Sequence, residues 1–126
     1  MEDLLTIEQV EVNFTITEEK ILCEHGELEY SFDKDVAIVN SISVYLKRNR
    51  IGTKLVSELE NLVQQNELKT IEVPVSPTKE AILFWKSLGY KPSSEESKYW
   101  INKISRSYYE GSWDILQGVV VMNKQL

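Results

Sequence analysis

Three cations and a glycine crowd one short stretch of the chain, Lys47-Arg48-Asn49-Arg50-Ile51-Gly52-Thr53. The apolar positions that follow, Leu55, Val56, Leu59, Leu62 and Val63, recur at three- and four-residue steps, so a helix opens at Gly52. A helix N-terminus presents unpartnered backbone N–H groups and the positive end of its dipole, and basic neighbours add charge at the same spot. The chemistry expected there is the binding of a phosphate. The plainer alternative is a solvated basic turn. Elsewhere, reactive side chains are sparse. Glu72, within Thr70-Ile71-Glu72-Val73-Pro74-Val75, is a candidate general base acting through water, against the plainer reading of an exposed strand carboxylate. Glu29 is a weaker candidate of the same kind. Cys23 and the one histidine, His25, stand two residues apart. That spacing suits a half-buried strand cysteine and a surface histidine near a turn better than a nucleophile and its base. No metal site is expected.

The elements that must position these groups follow from periodicity. Val10, Val12, Phe14 and Ile16 alternate with polar residues, as do Leu28, Tyr30 and Phe32, and each set reads as a half-buried strand. Between them, Ile21-Leu22-Cys23 is extended and pauses at Gly26. Asp33-Lys34-Asp35 turns the chain into a strand carrying Val36, Ile38, Ile42 and Val44, so an antiparallel hairpin is predicted. The helix from Gly52 to about Gln65 then leads to the strand Thr70 to Val75. A strand–helix–strand crossover makes the two flanking strands parallel. Pro74 lacks a ladder donor, so the pair should splay near it and leave a pocket. Ser76-Pro77 reads as the cap and first residue of a second helix, with Ala81, Ile82, Phe84, Trp85 and Leu88 as its apolar face and Gly89 as its stop. Ser93 to Ser97 reads as a loop, and Tyr99 to Ile104 and Ile115 to Met122 as two last strands, joined by a segment with Tyr108, Tyr109 and Trp113. The fold class predicted is α+β: a mixed, mostly antiparallel sheet with one splayed parallel pair and two main helices.

Composition bounds the function. A chain of 126 residues is expected to form one domain, residues 1–126. Twenty acidic against 14 basic residues give a net charge of −6, which argues against nucleic acid as the main partner. The single cysteine excludes an internal disulfide and fits a reducing compartment. Met-Glu-Asp-Leu-Leu has no basic signal-peptide start, and no apolar run is long enough for a membrane span. A cytoplasmic location is the expectation.

The pattern Lys47-x-x-Arg50-x-Gly52 at a strand-to-helix junction, followed by Thr78-x-x-Ala81-x-x-Phe84-Trp85-x-x-Leu88-Gly89-Tyr90, resembles the GNAT superfamily of N-acetyltransferases. The ending Val121 to Leu126 is also similar to the last strand of many such proteins. The resemblance implies acetyl-coenzyme A as cosubstrate and transfer of its acetyl group to an amine. It implies that the loop Lys47, Arg48, Asn49, Arg50, Ile51, Gly52 and Thr53 holds the pyrophosphate. It implies further that the backbone near Ile42 and Val44 meets the pantetheine arm, with Thr78 and Trp85 of the second helix alongside. This chain departs from the family pattern at four places. Arg50 stands where the first loop glycine is expected, and Thr78 replaces an Asn. Trp85 replaces the Tyr that often protonates the departing thiolate, leaving Tyr108 and Tyr109 as candidate acids. The fourth departure is a short N-terminal part, which leaves almost no room for the two helices that usually cover the acceptor site. That fits a site open to a bulky acceptor such as a protein lysine, or one completed by a second chain in a homodimer. The alternative function is a catalytically degenerate relative that binds coenzyme A or a protein partner.

Overall fold

The structure, a computed structural model, describes residues 12–45, 50–106 and 120–126. Among these, seven strands form one sheet in the order β1-β2-β3-β4-β5-β7-β6. They are β1 (Thr15–Ile16), β2 (Lys20–Cys23), β3 (Gly26–Asp33), β4 (Val36–Val44), β5 (Thr70–Pro74), β6 (Lys91–Pro92) and β7 (Val121–Gln125). Three helices accompany them: α1 (Ile51–Gln65), α2 (Lys79–Ser87) and α3 (Glu95–Arg106). Every neighbouring strand pair is antiparallel except β4 and β5. The fold is therefore α+β with a mixed, mostly antiparallel sheet, and the helix between β4 and β5 is the crossover that makes those two strands parallel.

Alternation places Ile21, Leu28, Tyr30, Ala37, Val39, Ile71 and Val73 in the core. Helix α1 covers it with Ile51, Leu55, Val56, Leu59 and Val63, the stripe that the sequence spacing predicts. The β3–β4 hairpin closes through Lys34 at φ 56°, the left-handed conformation a two-residue turn requires. Gly26 opens β3 instead of interrupting the chain. A Cβ there would lie 2.8 Å from the Ser43 carbonyl oxygen, so only glycine lets β3 approach β4 at that point.

Three sequence expectations are corrected. Tyr99 to Ile104 is helical, not a strand. Its core-facing residues Ser97, Ile101 and Ile104 are spaced four and three apart, a helical face obscured by the strand-favouring run Tyr99-Trp100-Ile101. Ser94 caps this helix, its Oγ accepting the Ser97 N–H at 3.1 Å, and Glu95 and Glu96 favour the first turn electrostatically. The expected loop at Ser93 to Ser97 is thus largely the start of α3. The second helix is capped by Thr78, whose side chain accepts the Ala81 N–H at 3.2 Å, and not by Ser76. Val75 still bonds the Val120 carbonyl at 2.8 Å, and the chain then turns about the buried Pro77, the Thr78 N–H donating to the Ser76 carbonyl at 2.7 Å, before the helix begins. Of the first expected strand, only Thr15–Ile16 is a strand, β1, whereas Val12 to Phe14 are irregular; Val10 and Trp113 lie outside the described residues.

Candidate functional site

β4 and β5 pair only at Val36↔Thr70, Ala37↔Ile71 and Ile38↔Glu72. Beyond that point they part. β5 keeps β7 as a partner through Pro74, while β4 keeps β3. On its other edge each strand has alternate backbone N–H and C=O groups that meet no neighbouring strand. Two local features drive the separation. Pro74 has no N–H to give. In β4, the register with β3 passes from Tyr30↔Val39 to Glu29↔Ser41, so Asn40 is an extra residue whose bulge bends and twists the strand just where the gap opens.

The gap is a cleft of about 770 Å³, lined from β4 by Val39 to Ile42 and Val44, and from β5 by Val73 and Pro74. Helix α1 contributes Arg50 to Thr53, while Ser76, Thr78, Glu80, Ala81, Phe84 and Trp85 close the side formed by α2. That size suits a cofactor-sized molecule. Its ends differ. Arg50, Ser76, Thr78 and Glu80 are exposed, whereas Val39, Val73 and Trp85 are each 2–3% exposed.

The start of α1 forms part of the cleft wall. Arg50 is its cap residue at φ 54°, ψ 43°, a left-handed conformation, and no side chain caps the helix. The first N–H groups of α1 are therefore not satisfied by a side-chain cap, on a helix whose positive dipole end faces the same region. Gly52 is bare for a reason that spacing alone does not reveal. A Cβ there would lie 3.2 Å from two ring carbons of Phe84 and 3.6 Å from Val44 Cγ2. The missing side chain lets α2 dock against the start of α1, and so brings the loop and the second helix to one cleft.

A polar tether holds α2 in that position. The Tyr90 hydroxyl donates to Glu60 Oε2 at 3.0 Å, and Lys124 Nζ bonds the same oxygen at 3.1 Å and the Leu88 carbonyl at 2.9 Å. Burial first, and then the Glu60 carboxylate, push the Tyr90 hydroxyl well above the usual tyrosine range.

The structure brings Ile42, Val44, Arg50, Ile51, Gly52, Thr53, Thr78 and Trp85 together around the cleft. Glu72 is not part of its lining. It stands in the last paired row, between Ile38 and Asn123, and alternates in facing with the cleft residue Val73. Lys47, Arg48, Asn49, Tyr108 and Tyr109 lie outside the described residues. Asn40, Ser41, Glu80 and Phe84 are lining residues that the sequence reading did not select as site residues. A bulge position carries no signature in a single strand's sequence, so Asn40 had none to offer. Among the described residues, no three His, Cys, Asp or Glu side chains gather as a metal site. No described helix is long and apolar enough to cross a membrane.

No protein-family profile and no curated protein sequence matches the chain. Solved structures do. The IAA acetyltransferase from Bacillus cereus superposes with a TM-score of 0.61 at 13% identity, over 85% of this chain and 77% of that one. The ribosomal-protein-S18-alanine N-acetyltransferase from Escherichia coli gives 0.60 at 17% identity, over 99% and 76%. The anti-CRISPR protein AcrVA5 gives 0.59 at 18% identity, over 83% of this chain and 95% of that one. Rv2747 from Mycobacterium tuberculosis, solved in complex with CoA and NLQ, gives 0.57 at 15%. The fold defined by these strands, the splayed pair and the crossover helix is that of the GNAT N-acetyltransferases.

Proposed function

We propose that the protein is an N-acetyltransferase that takes acetyl-coenzyme A in the β4–β5 cleft and passes the acetyl group to an amine. The observation that carries this reading is the placement of an uncapped helix start and Arg50 on the wall of a splayed parallel pair. An anion at the helix start and an amide-bearing arm along unpaired strand edges match the two ends of a coenzyme A thioester. In direct transfer the neutral amine nitrogen attacks the thioester carbonyl carbon, the C–S bond breaks, and the thiolate leaves and is protonated. Holding the amine against the thioester supplies much of the rate, and backbone N–H groups stabilise charge on the carbonyl oxygen. Trp85 has no titratable proton, so protonation of the thiolate falls to another group or to solvent. The acceptor is an amine on a small molecule or a protein; the cytoplasm is the compartment proposed.

Calorimetry with acetyl-coenzyme A on purified protein tests the binding half, and no heat of binding at millimolar ligand would remove the reading. Consumption of acetyl-coenzyme A against polyamines, aminoglycosides and basic peptides tests the transfer half. Glu72→Gln on a responsive acceptor tests a base acting through water. A rate loss that shrinks as pH rises supports that role, and silence at every pH removes it.

A second reading is coenzyme binding without transfer. It is favoured by one observation: the titratable side chains among the described lining residues are Arg50 and Glu80 alone. Tight coenzyme binding with no turnover on any acceptor would select it.

A further inference from the structure

Glu60, Tyr90 and Lys124 meet behind the cleft without lining it. Glu60 lies nine residues beyond Ile51 on α1, about 14 Å along the helix from the start that forms part of the wall. Its Oε2 accepts the Tyr90 hydroxyl at 3.0 Å and Lys124 Nζ at 3.1 Å. Each partner is fixed to a different wall. The Tyr90 N–H donates to the Trp85 carbonyl at 3.1 Å, and its ring stands edge-on to the Trp85 indole, centroids 4.9 Å apart at 71°. Trp85 is a lining residue of the cleft. Lys124 pairs with Ile71 of β5, two residues before the lining residue Val73. Lys124 Nζ also bonds the Leu88 carbonyl at 2.9 Å, a cation on the C-terminal end of α2. One carboxylate oxygen thus joins α1, α2 and β5, each of which contributes to the cleft wall.

Apolar packing between these elements is non-directional and tolerates small sliding. The Phe84 ring over Gly52 is a contact of that kind. Charge-assisted hydrogen bonds add what it lacks, a fixed distance and direction. We infer that Tyr90 and Glu60 are positioning residues for the coenzyme: their bond, completed by Lys124, holds Trp85 and the α2 wall at the spacing the bound molecule requires. The inference rests on the coenzyme reading above. Neither side chain lines the cleft, so the effect passes through Trp85. It is also reciprocal, since a ligand that needs the α2 wall in place strengthens the tether by the factor by which the tether strengthens the ligand.

The experiment is calorimetry with acetyl-coenzyme A on the wild type, Tyr90→Phe, Glu60→Leu, their double variant and Tyr30→Phe, each at a temperature below the onset of its melt. Tyr90→Phe keeps a ring against Trp85 and loses the hydroxyl bond, so binding should weaken about fivefold. Glu60→Leu should weaken it at least as much, and the double variant no more than Glu60→Leu alone, because both changes cut one tether. Tyr30→Phe loses a hydroxyl bond to the Thr17 carbonyl and does not line the cleft. It should melt lower yet bind within about 1.5-fold of the wild type. Wild-type affinity in Tyr90→Phe would overturn the inference. So would equal weakening in Tyr30→Phe, which would make affinity follow stability, and so would additive losses in the double variant. Should Glu60→Leu fail to give a cooperative melt, Tyr90→Phe against Tyr30→Phe decides. No heat of binding with the wild type would overturn the inference together with the coenzyme reading, an outcome distinct from binding that Tyr90→Phe leaves unchanged.

Discussion

Arg50 occupies a backbone conformation that suits glycine. A left-handed φ costs an L-residue about 1–2 kcal/mol, and residues retained there against that cost concentrate at functional sites. Glycine at this position removes the steric penalty and returns part of it as unfolded-state entropy. Arg50→Gly is therefore expected to raise stability slightly, by about 0.5–1 kcal/mol in chemical denaturation, while weakening acetyl-coenzyme A binding several-fold through loss of the guanidinium. A variant that loses stability would show that the Arg50 side chain supports the fold. Gly52→Val should weaken coenzyme binding at least tenfold, about 1.4 kcal/mol, because a branched side chain would press on the Phe84 ring and stand beside the phosphate path. Unchanged affinity would move the phosphate away from this helix start. At this scale the sequence was informative about residue types and silent about pairs. The basic loop and Gly52 were legible from spacing, whereas the seat that Gly52 provides for Phe84 depends on a contact 32 positions away along the chain.

The elements show where periodicity succeeds and where it misleads. β4, α1 and β5 read correctly because each has a long, unambiguous pattern, and the splay of β4 from β5 follows from Pro74. α3 was misread because Tyr99, Trp100 and Ile101 form a run of aromatic and β-branched residues that favour strands. The true signal was local: Ser94 three residues ahead of the Ser97 N–H it caps, with Glu95 and Glu96 in the first turn. The start of α2 shows a similar competition between two hydroxyl residues. Only the Thr78 side chain accepts a helix N–H, so Thr78→Ala should cost about 1 kcal/mol, whereas Ser76→Ala should stay within about 0.5 kcal/mol. Thermal or denaturant melts of the two variants side by side decide it; equal losses would mean that the cap is shared. Thr78 also lines the cleft, so its variant is expected to weaken coenzyme binding as well.

At the scale of the whole molecule, the cleft exists because three distant segments are tied behind it. Glu60 on α1, Tyr90 after α2 and Lys124 on β7 converge on one carboxylate oxygen, and Lys124 also reaches the Leu88 carbonyl and lies 5.6 Å from the Tyr90 ring centroid. Tyr90 is 2% exposed, so its hydroxyl is held neutral by burial and by the neighbouring carboxylate. In the unfolded chain it ionises near its ordinary value of 10. Between that pH and the higher folded value, the unfolded state has released the proton and the folded state has kept it. The unfolded state therefore binds fewer protons, and stability falls as pH rises. Below pH 10 the group contributes no slope; above it, each pH unit costs about 1.4 kcal/mol. Tyr30, whose hydroxyl donates to the Thr17 carbonyl, is also pushed up, first by burial and then by Glu18, and adds a slope of the same sign. Urea melts of the wild type from pH 8 to 11 should thus be level up to about pH 9.5 and then decline steeply. Tyr90→Phe should begin lower, having lost a hydrogen bond to a charged partner worth about 1.5–3 kcal/mol, but decline less steeply above pH 10. The two curves should converge as the pH rises. Parallel curves across the whole range would mean that Tyr90 ionises in the folded protein as readily as in the unfolded one, and that the tether does not hold its proton.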